Sequence, residues 1–242
     1  MEITPFDLFL AFVLVVGLPL WAVRSWRRLH TQLDEGDPNA RVAAYRRVMV
    51  VQWSLVAFLI VHIALRPVGF DDLRVALPLD PRALGALLVS GALVMFVFGQ
   101  ARAALTDDET RAAAKKEIAS LRAMLPHDAR DYAWFRPVAW TAGICEELLY
   151  RGYLPWLLGL AMPSLAAFGV ASVAFGLGHA YQGRSGILKT GAVGIVMSLL
   201  TWASGTVLPA IILHVAIDAI NGHLAWRIIS EDESAAVDDS AN

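Results

Sequence analysis

The sequence predicts an all-α fold, a polytopic membrane helix bundle of about seven transmembrane helices whose last four form a separate core. Three observations carry this prediction. The 242 residues are 57% hydrophobic and only 17% charged, whereas soluble domains carry about a quarter charged residues. Three long apolar runs in the first half are free of charge in their interiors, and four more in the second half are interrupted by Gly, Pro and ionisable residues. A formal net charge of −2, with the basic residues gathered in a few segments, offers no surface for nucleic acid. The single cysteine, Cys145, excludes an intramolecular disulfide.

A hydrocarbon core of about 30 Å takes roughly 20 apolar residues in helix. Phe6 to Val23, Val48 to Leu65 and Ala83 to Ala101 supply three such spans. The first has no basic leader and ends in Arg24, Arg27 and Arg28 rather than a small-residue cleavage site, so it reads as an anchor. The segment after it holds those arginines with Arg41, Arg46 and Arg47, and the segment after the third holds Arg102, Arg111, Lys115, Lys116, Arg122, Arg130 and Arg136. Between the second and third spans Arg66, Arg74 and Arg82 are matched by Asp71, Asp72 and Asp80. The positive-inside rule then places the segments after the first and third spans in the cytoplasm, and the balanced segment and the N-terminus outside. A solvated connector helix is expected from Thr106 to Leu125, with Thr106 as N-cap, Glu109 closing a capping box and Pro126 ending it.

Past Arg136 the remaining spans are expected at Pro137 to Leu158, Pro163 to Ala180, Ile187 to Ser204 and Thr206 to Trp226, punctuated by Pro155, Pro163 and Pro209. Three regions follow: 1–136 with three spans and the connector, 137–226 as the core, and 227–242 as a disordered acidic tail in the cytoplasm. Arginine in excess of lysine and abundant alanine fit a GC-rich prokaryotic source, and hence the plasma membrane.

A charged side chain at the centre of a membrane helix costs about 2.5–3.5 kcal/mol, so several of them must face one another. The core holds six candidates: Glu146, Glu147, Arg151, His179, His214 and Asp218. Glu147 and Arg151, four apart, share a helix face and suit an ion pair, while Glu146 is turned by about 100° and is left for another partner. His179 ends its helix one turn after Phe175, and Asp218 follows His214 by one turn. Glu146 lies about ten residues, or roughly 15 Å, from the cytoplasmic start of its helix, a depth similar to that of His214. One polar cavity open to the cytoplasm would serve them all, and a carboxylate held there away from bulk water suits a general base that activates water. His62 and His223 read as structural, and His30 and His127 as loop residues.

Glu146-Glu147-Leu-Leu-Tyr-Arg151-Gly-Tyr, then Phe175-Gly-Leu-Gly-His179, then His214-Val-Ala-Ile-Asp218 resemble the three motifs of the CPBP intramembrane proteases, the family of type II CAAX prenyl proteases and of bacteriocin-processing or immunity proteins. The resemblance covers roughly 137–226; the first three spans match only in being hydrophobic. It implies an intramembrane endopeptidase in which Glu146 with His179 activates the attacking water, His214 and the residue one turn later stabilise the oxyanion, and Glu147 with Arg151 supports them. The implied partners are the bilayer and a membrane-embedded or membrane-associated peptide or protein. In the prenyl proteases the last position is asparagine, and an ionised aspartate cannot donate a hydrogen bond. Asp218 would therefore be protonated, orient His214, or help hold a metal.

No cofactor is required by this reading. The family has nevertheless been called metalloproteases, and Glu146, His179, His214 and Asp218 offer ligands that zinc accepts, although no His-Glu-x-x-His is present. A rhomboid-like pairing of Ser185 with His214 would leave the glutamates idle. A non-catalytic membrane immunity or scaffold protein would keep the fold without the chemistry.

Overall fold

The computed structural model describes residues 2–66, 68–76 and 80–240. Helix α1 (Pro5–Asp34) begins at a reciprocal cap in which Thr4 accepts from the Asp7 amide and Asp7 accepts from the Thr4 amide, with Pro5 in the first turn. A π-helical stretch, Val13–Gly17, interrupts it. Both α1 and α2 (Ala40–Ala64) outrun the expected spans, which ended at Val23 and began at Val48. Arg24, Arg27, Arg28, Arg41, Arg46 and Arg47 consequently lie on helical turns rather than in a loop. Arginine is a good helix former, and its aliphatic stem lies along apolar surface while the head reaches water.

Helix α3 (Pro81–Thr106) is capped by Asp80, which accepts from the Arg82 and Ala83 amides at 2.9 and 2.8 Å. Thr106 is not the cap of the connector but the last residue of α3, its hydroxyl donating to the Arg102 carbonyl at 3.2 Å. Asp107 caps the connector α4 (Asp108–Leu121) instead, accepting from the Thr110 hydroxyl and amide at 2.6 and 2.8 Å. A carboxylate accepts from both donors without a hydrogen of its own to place, as a threonine hydroxyl must, and these bonds hold the Asp107 carboxyl below the usual carboxylate range.

The fifth helix, α5, covers 129–159 and joins Ala129–Glu147, a π-helical stretch Leu148–Tyr153 and Leu154–Gly159. It begins well before Pro137, the expected start, because Asp128 supplies a cap by accepting from the Asp131 amide at 2.7 Å. Pro137 sits inside the helix, which forgoes one hydrogen bond there. Then follow α6 (Ser164–Gly178), α7 (Gly183–Ser204) and α8 (Leu208–Ser240). Five helices among the described residues are long and apolar enough to cross a membrane, and α5 with the shorter α6 makes up the rest of the bundle.

The expected disordered tail is helical as far as Ser240. Its acidic side chains find basic partners on the connector and the turn after it: Glu231 with Arg111 at 2.7 Å, Asp232 with Lys115 at 2.8 Å and Glu233 with Arg122 at 2.7 Å. Within the bundle α5 is central, packed against α2 and α8, while α6 packs on α7 and α8 on α3. Gly143 makes the α5–α8 approach possible, since any side chain there would overlap Val215.

Candidate active site

Helix α5 brings Glu146, Glu147 and Arg151 to the middle of the bundle. Glu147 and Arg151 are fully buried and paired through Arg151 Nη1 and Glu147 Oε1 at 2.9 Å, as their spacing predicts. The guanidinium lies 4.0 Å from the centre of the Phe175 ring and donates through Nη2 to the Gly194 carbonyl at 3.2 Å. Glycine eases the approach of helix α7, because a Cβ on Gly194 would stand 3.0 Å from both Arg151 Nη2 and Phe175 Cδ1, close enough to push them.

His214, from α8, donates through Nδ1 to the same Glu147 Oε1 at 2.7 Å. A carboxylate only accepts, so this contact places a proton on Nδ1 and turns Nε2 away from Glu147. Asp218 Oδ2 lies 3.7 Å from that Nε2. His179, at the end of α6, donates through Nδ1 to the Phe175 carbonyl at 3.0 Å, one turn back. Its Nε2 is thereby left with the lone pair when the ring is neutral.

Glu146 takes a different course from its neighbour. Its Oε1 accepts from Gln52 Nε2 of α2 at 2.6 Å, and its Oε2 is buried without a hydrogen-bond partner among the described residues. The two adjacent carboxylates thus have the two environments that their angular offset implies.

A cavity of about 330 Å³ opens onto these groups. Glu146, His179, His214 and Asp218 line it; Glu147 and Arg151 do not, and lie behind His214 and Phe175. The remaining wall is largely apolar, with Trp21 and Trp26 from α1, Val48 from α2 and Phe135 from α5. Leu121, Met124 and Leu125, at the end of the connector and the turn after it, also line it.

Sequence reasoning passed over several residues that the fold adds. Gln52 is the lone amide in the second apolar run, which was itself a signal. Asn221 also lines the cavity, one turn beyond Asp218 and two beyond His214, so the three form one polar stripe on α8. Tyr150 donates to the Leu14 carbonyl at 2.9 Å and so joins the π-helical stretch of α5 to that of α1. Single-turn π insertions of this kind often accompany functional sites, and neither was legible in the sequence. Ser185 is exposed and does not line the cavity, which separates it from His214. Among the described residues no three of His, Cys, Asp and Glu gather as a metal site. His214 and His179 hold Nδ1 on Glu147 and on a carbonyl, which still leaves each Nε2 for another partner; it is the failure of the side chains to gather that gives zinc no fitting donor set among the described residues.

Residues 129–220 match the family of Rce1-like type II CAAX prenyl endopeptidases. No curated protein and no solved structure matches the chain. The matched segment contains Glu146, Glu147, Arg151, His179, His214 and Asp218, and it begins where α5 begins.

Proposed function

We propose, from the premise that residues 129–220 belong to the CPBP intramembrane proteases, that this chain hydrolyses a peptide bond of a membrane-embedded or membrane-associated substrate with water activated by Glu146 and His179. One observation carries the reading: four of the six motif residues line one cavity, and the other two hold His214 and Phe175 from behind. Glu146 Oε2 takes a proton from water in the cavity that His179 also lines. The hydroxide adds to the substrate carbonyl carbon, and the negative charge that develops on oxygen is met by His214 Nε2–H. Collapse of the tetrahedral intermediate breaks the C–N bond as the proton held on Glu146 passes to the leaving amine.

Donation from His214 Nε2 requires the doubly protonated ring, since Nδ1–H is already given to Glu147. Two carboxylates stand beside that ring, Glu147 at Nδ1 and Asp218 at Nε2. Of the roles open to Asp218, acting through His214 is the one this arrangement favours, and it compensates for the absence of an asparagine donor. Arg151 balances Glu147, whose charge would otherwise be buried unpaired. By the distribution of basic residues, the N-terminus is outside, and the cavity and α4 face the cytoplasm. Region 137–226 carries the chemistry and 1–136 encloses it.

The test is hydrolysis of a farnesylated CAAX peptide by protein in nanodiscs, together with proteomics of membrane fractions from cells carrying wild type or Glu146→Ala. Wild type should cleave the probe, or process at least one membrane peptide, and Glu146→Ala should do neither. Equal processing by the two would overturn the reading in favour of a non-catalytic immunity or scaffold protein.

A further inference from the structure

Gln52 belongs to α2, outside the matched segment, yet it makes the one hydrogen bond that the Glu146 carboxylate receives among the described residues. A carboxylate offers no hydrogen, so the amide must present Nε2 to it, and the orientation of Gln52 is settled by its partner. That orientation leaves Gln52 Oε1 buried without a donor, as Glu146 Oε2 is. Two orphaned acceptors therefore flank one 2.6 Å contact, and both residues line the cavity. Buried acceptors without donors are destabilising. A group bearing two hydrogens and small enough for the site relieves both at once.

We infer that Gln52 completes the binding site of the attacking water: its Nε2 fixes Glu146 Oε1, while its Oε1 and Glu146 Oε2 each accept one hydrogen of the water molecule. The inference rests on the proposed endopeptidase reading and deepens it. The hydrogen on Glu146 is the one transferred, its O–H bond breaking as the oxygen adds to the carbonyl carbon. The hydrogen on Gln52 stays with the oxygen and aims its lone pair at the substrate. The proton held by Glu146 leaves with the amine, so the site returns to its starting state.

A merely structural role, pinning α2 to α5, is already filled. Trp53, the next residue, donates from its indole to the Thr141 hydroxyl at 3.1 Å across the same pair of helices. Tyr45 of α2 is tied by a 2.7 Å bond to the Met124 carbonyl. Trp53 does not line the cavity, whereas Gln52 does.

The decisive experiment pairs kinetics with density. Gln52→Met keeps the length of the side chain and removes both polar atoms; Trp53→Phe removes the neighbouring tie between the same helices. On the farnesylated CAAX peptide, Gln52→Met should lower kcat roughly 100-fold, the scale set by misplacing a reacting group by about 1 Å, with little change in KM. Trp53→Phe should lower the melting temperature and leave kcat near wild type. Combined with Glu146→Gln, Gln52→Met should cost no more than Glu146→Gln alone, because the two act as one unit; effects that multiply would overturn the inference. High-resolution density of the wild type in nanodiscs should show a water touching Gln52 Oε1 and Glu146 Oε2, lost in Gln52→Met. A well-resolved site without it overturns the inference whether or not the probe is cleaved. A water present while Glu146→Ala still processes its peptide would instead sink the endopeptidase reading and leave the site standing.

Discussion

Two buried ionic clusters lie in this bundle, and they differ in how completely their atoms are used. Around Asp7, at the start of α1, every demand is met. The fully buried carboxylate accepts from the Thr4 amide at 2.9 Å, the Thr4 hydroxyl at 2.7 Å, His62 at 2.9 Å, Arg66 at 2.6 Å and Tyr153 at 3.2 Å. Arg66 spends a second nitrogen on the Glu2 carbonyl at 2.7 Å. Around Glu147, by contrast, Glu146 Oε2, Glu147 Oε2, Gln52 Oε1 and Arg151 Nε have no partner among the described residues. Unpaired buried polar atoms cost free energy and survive where something else requires them. Saturation therefore marks a clamp joining α1, α2 and α5, and unpartnered atoms mark the cluster on which the proposed reaction draws.

The comparison breaks most sharply if the clusters exchange behaviour under mutation. Glu146→Gln preserves shape and removes the base, so cleavage should fall about 10²–10⁴-fold with the melting temperature unchanged. Asp7→Ala should do the reverse. Stripping one partner from a buried pair costs about 3–5 kcal/mol, read as loss of stability in reversible unfolding, while kcat per folded molecule holds. A catalytic defect in stable Asp7→Ala protein would show that the saturated cluster also serves chemistry. Gly194→Ala should fall between these two behaviours. It forces a methyl against Arg151 and Phe175 and should cost about 1–3 kcal/mol as overpacking, with part of the loss appearing in kcat because Arg151 holds Glu147, and Glu147 holds His214.

Legibility in the sequence followed the same division. The helix class and the Glu147–Arg151 pair could be read because apolar run length and i, i+4 spacing are local properties. The grouping of His179, His214 and Glu146 around one cavity required three helices to meet, and no local property showed it; the cost of isolated charge in a bilayer and the motif resemblance suggested it. Asp7 was passed over because it sits at the end of an apolar run, where a charge looks like an interface residue, yet the fold buries it completely. Gln52, although the lone amide of its apolar run, escaped because an uncharged side chain costs far less to bury than the charges that drew attention to the later helices. The connector cap shifted from Thr106 to Asp107 because adjacent residues of similar capping ability are separated only by the donors each finds. The acidic stretch after residue 226 looked disordered by composition, but composition does not reveal that Arg111, Lys115 and Arg122 stand opposite it.

That last contact supports the smallest effect and the finest distinction. The pairs of α8 with α4 and the turn after it lie at the surface, Arg111 half-buried and the other members exposed, as are Lys189 and Glu117 at 2.6 Å. Each should contribute about 0.2–1 kcal/mol, so the triple variant Glu231→Gln, Asp232→Asn, Glu233→Gln should melt only slightly earlier than wild type. Its activity should nonetheless change in one respect. The connector and the turn after it place Leu121, Met124 and Leu125 in the lining of the cavity, so loosening α4 would disturb the path of the proposed substrate without touching Glu146, His179 or His214. KM should move severalfold with kcat held, and wild type in high salt, where exposed pairs are screened, should copy the variant. A fall in kcat without a change in KM would mean instead that the connector reaches the catalytic groups, and the separation between the reacting cluster and the elements that enclose it would fail.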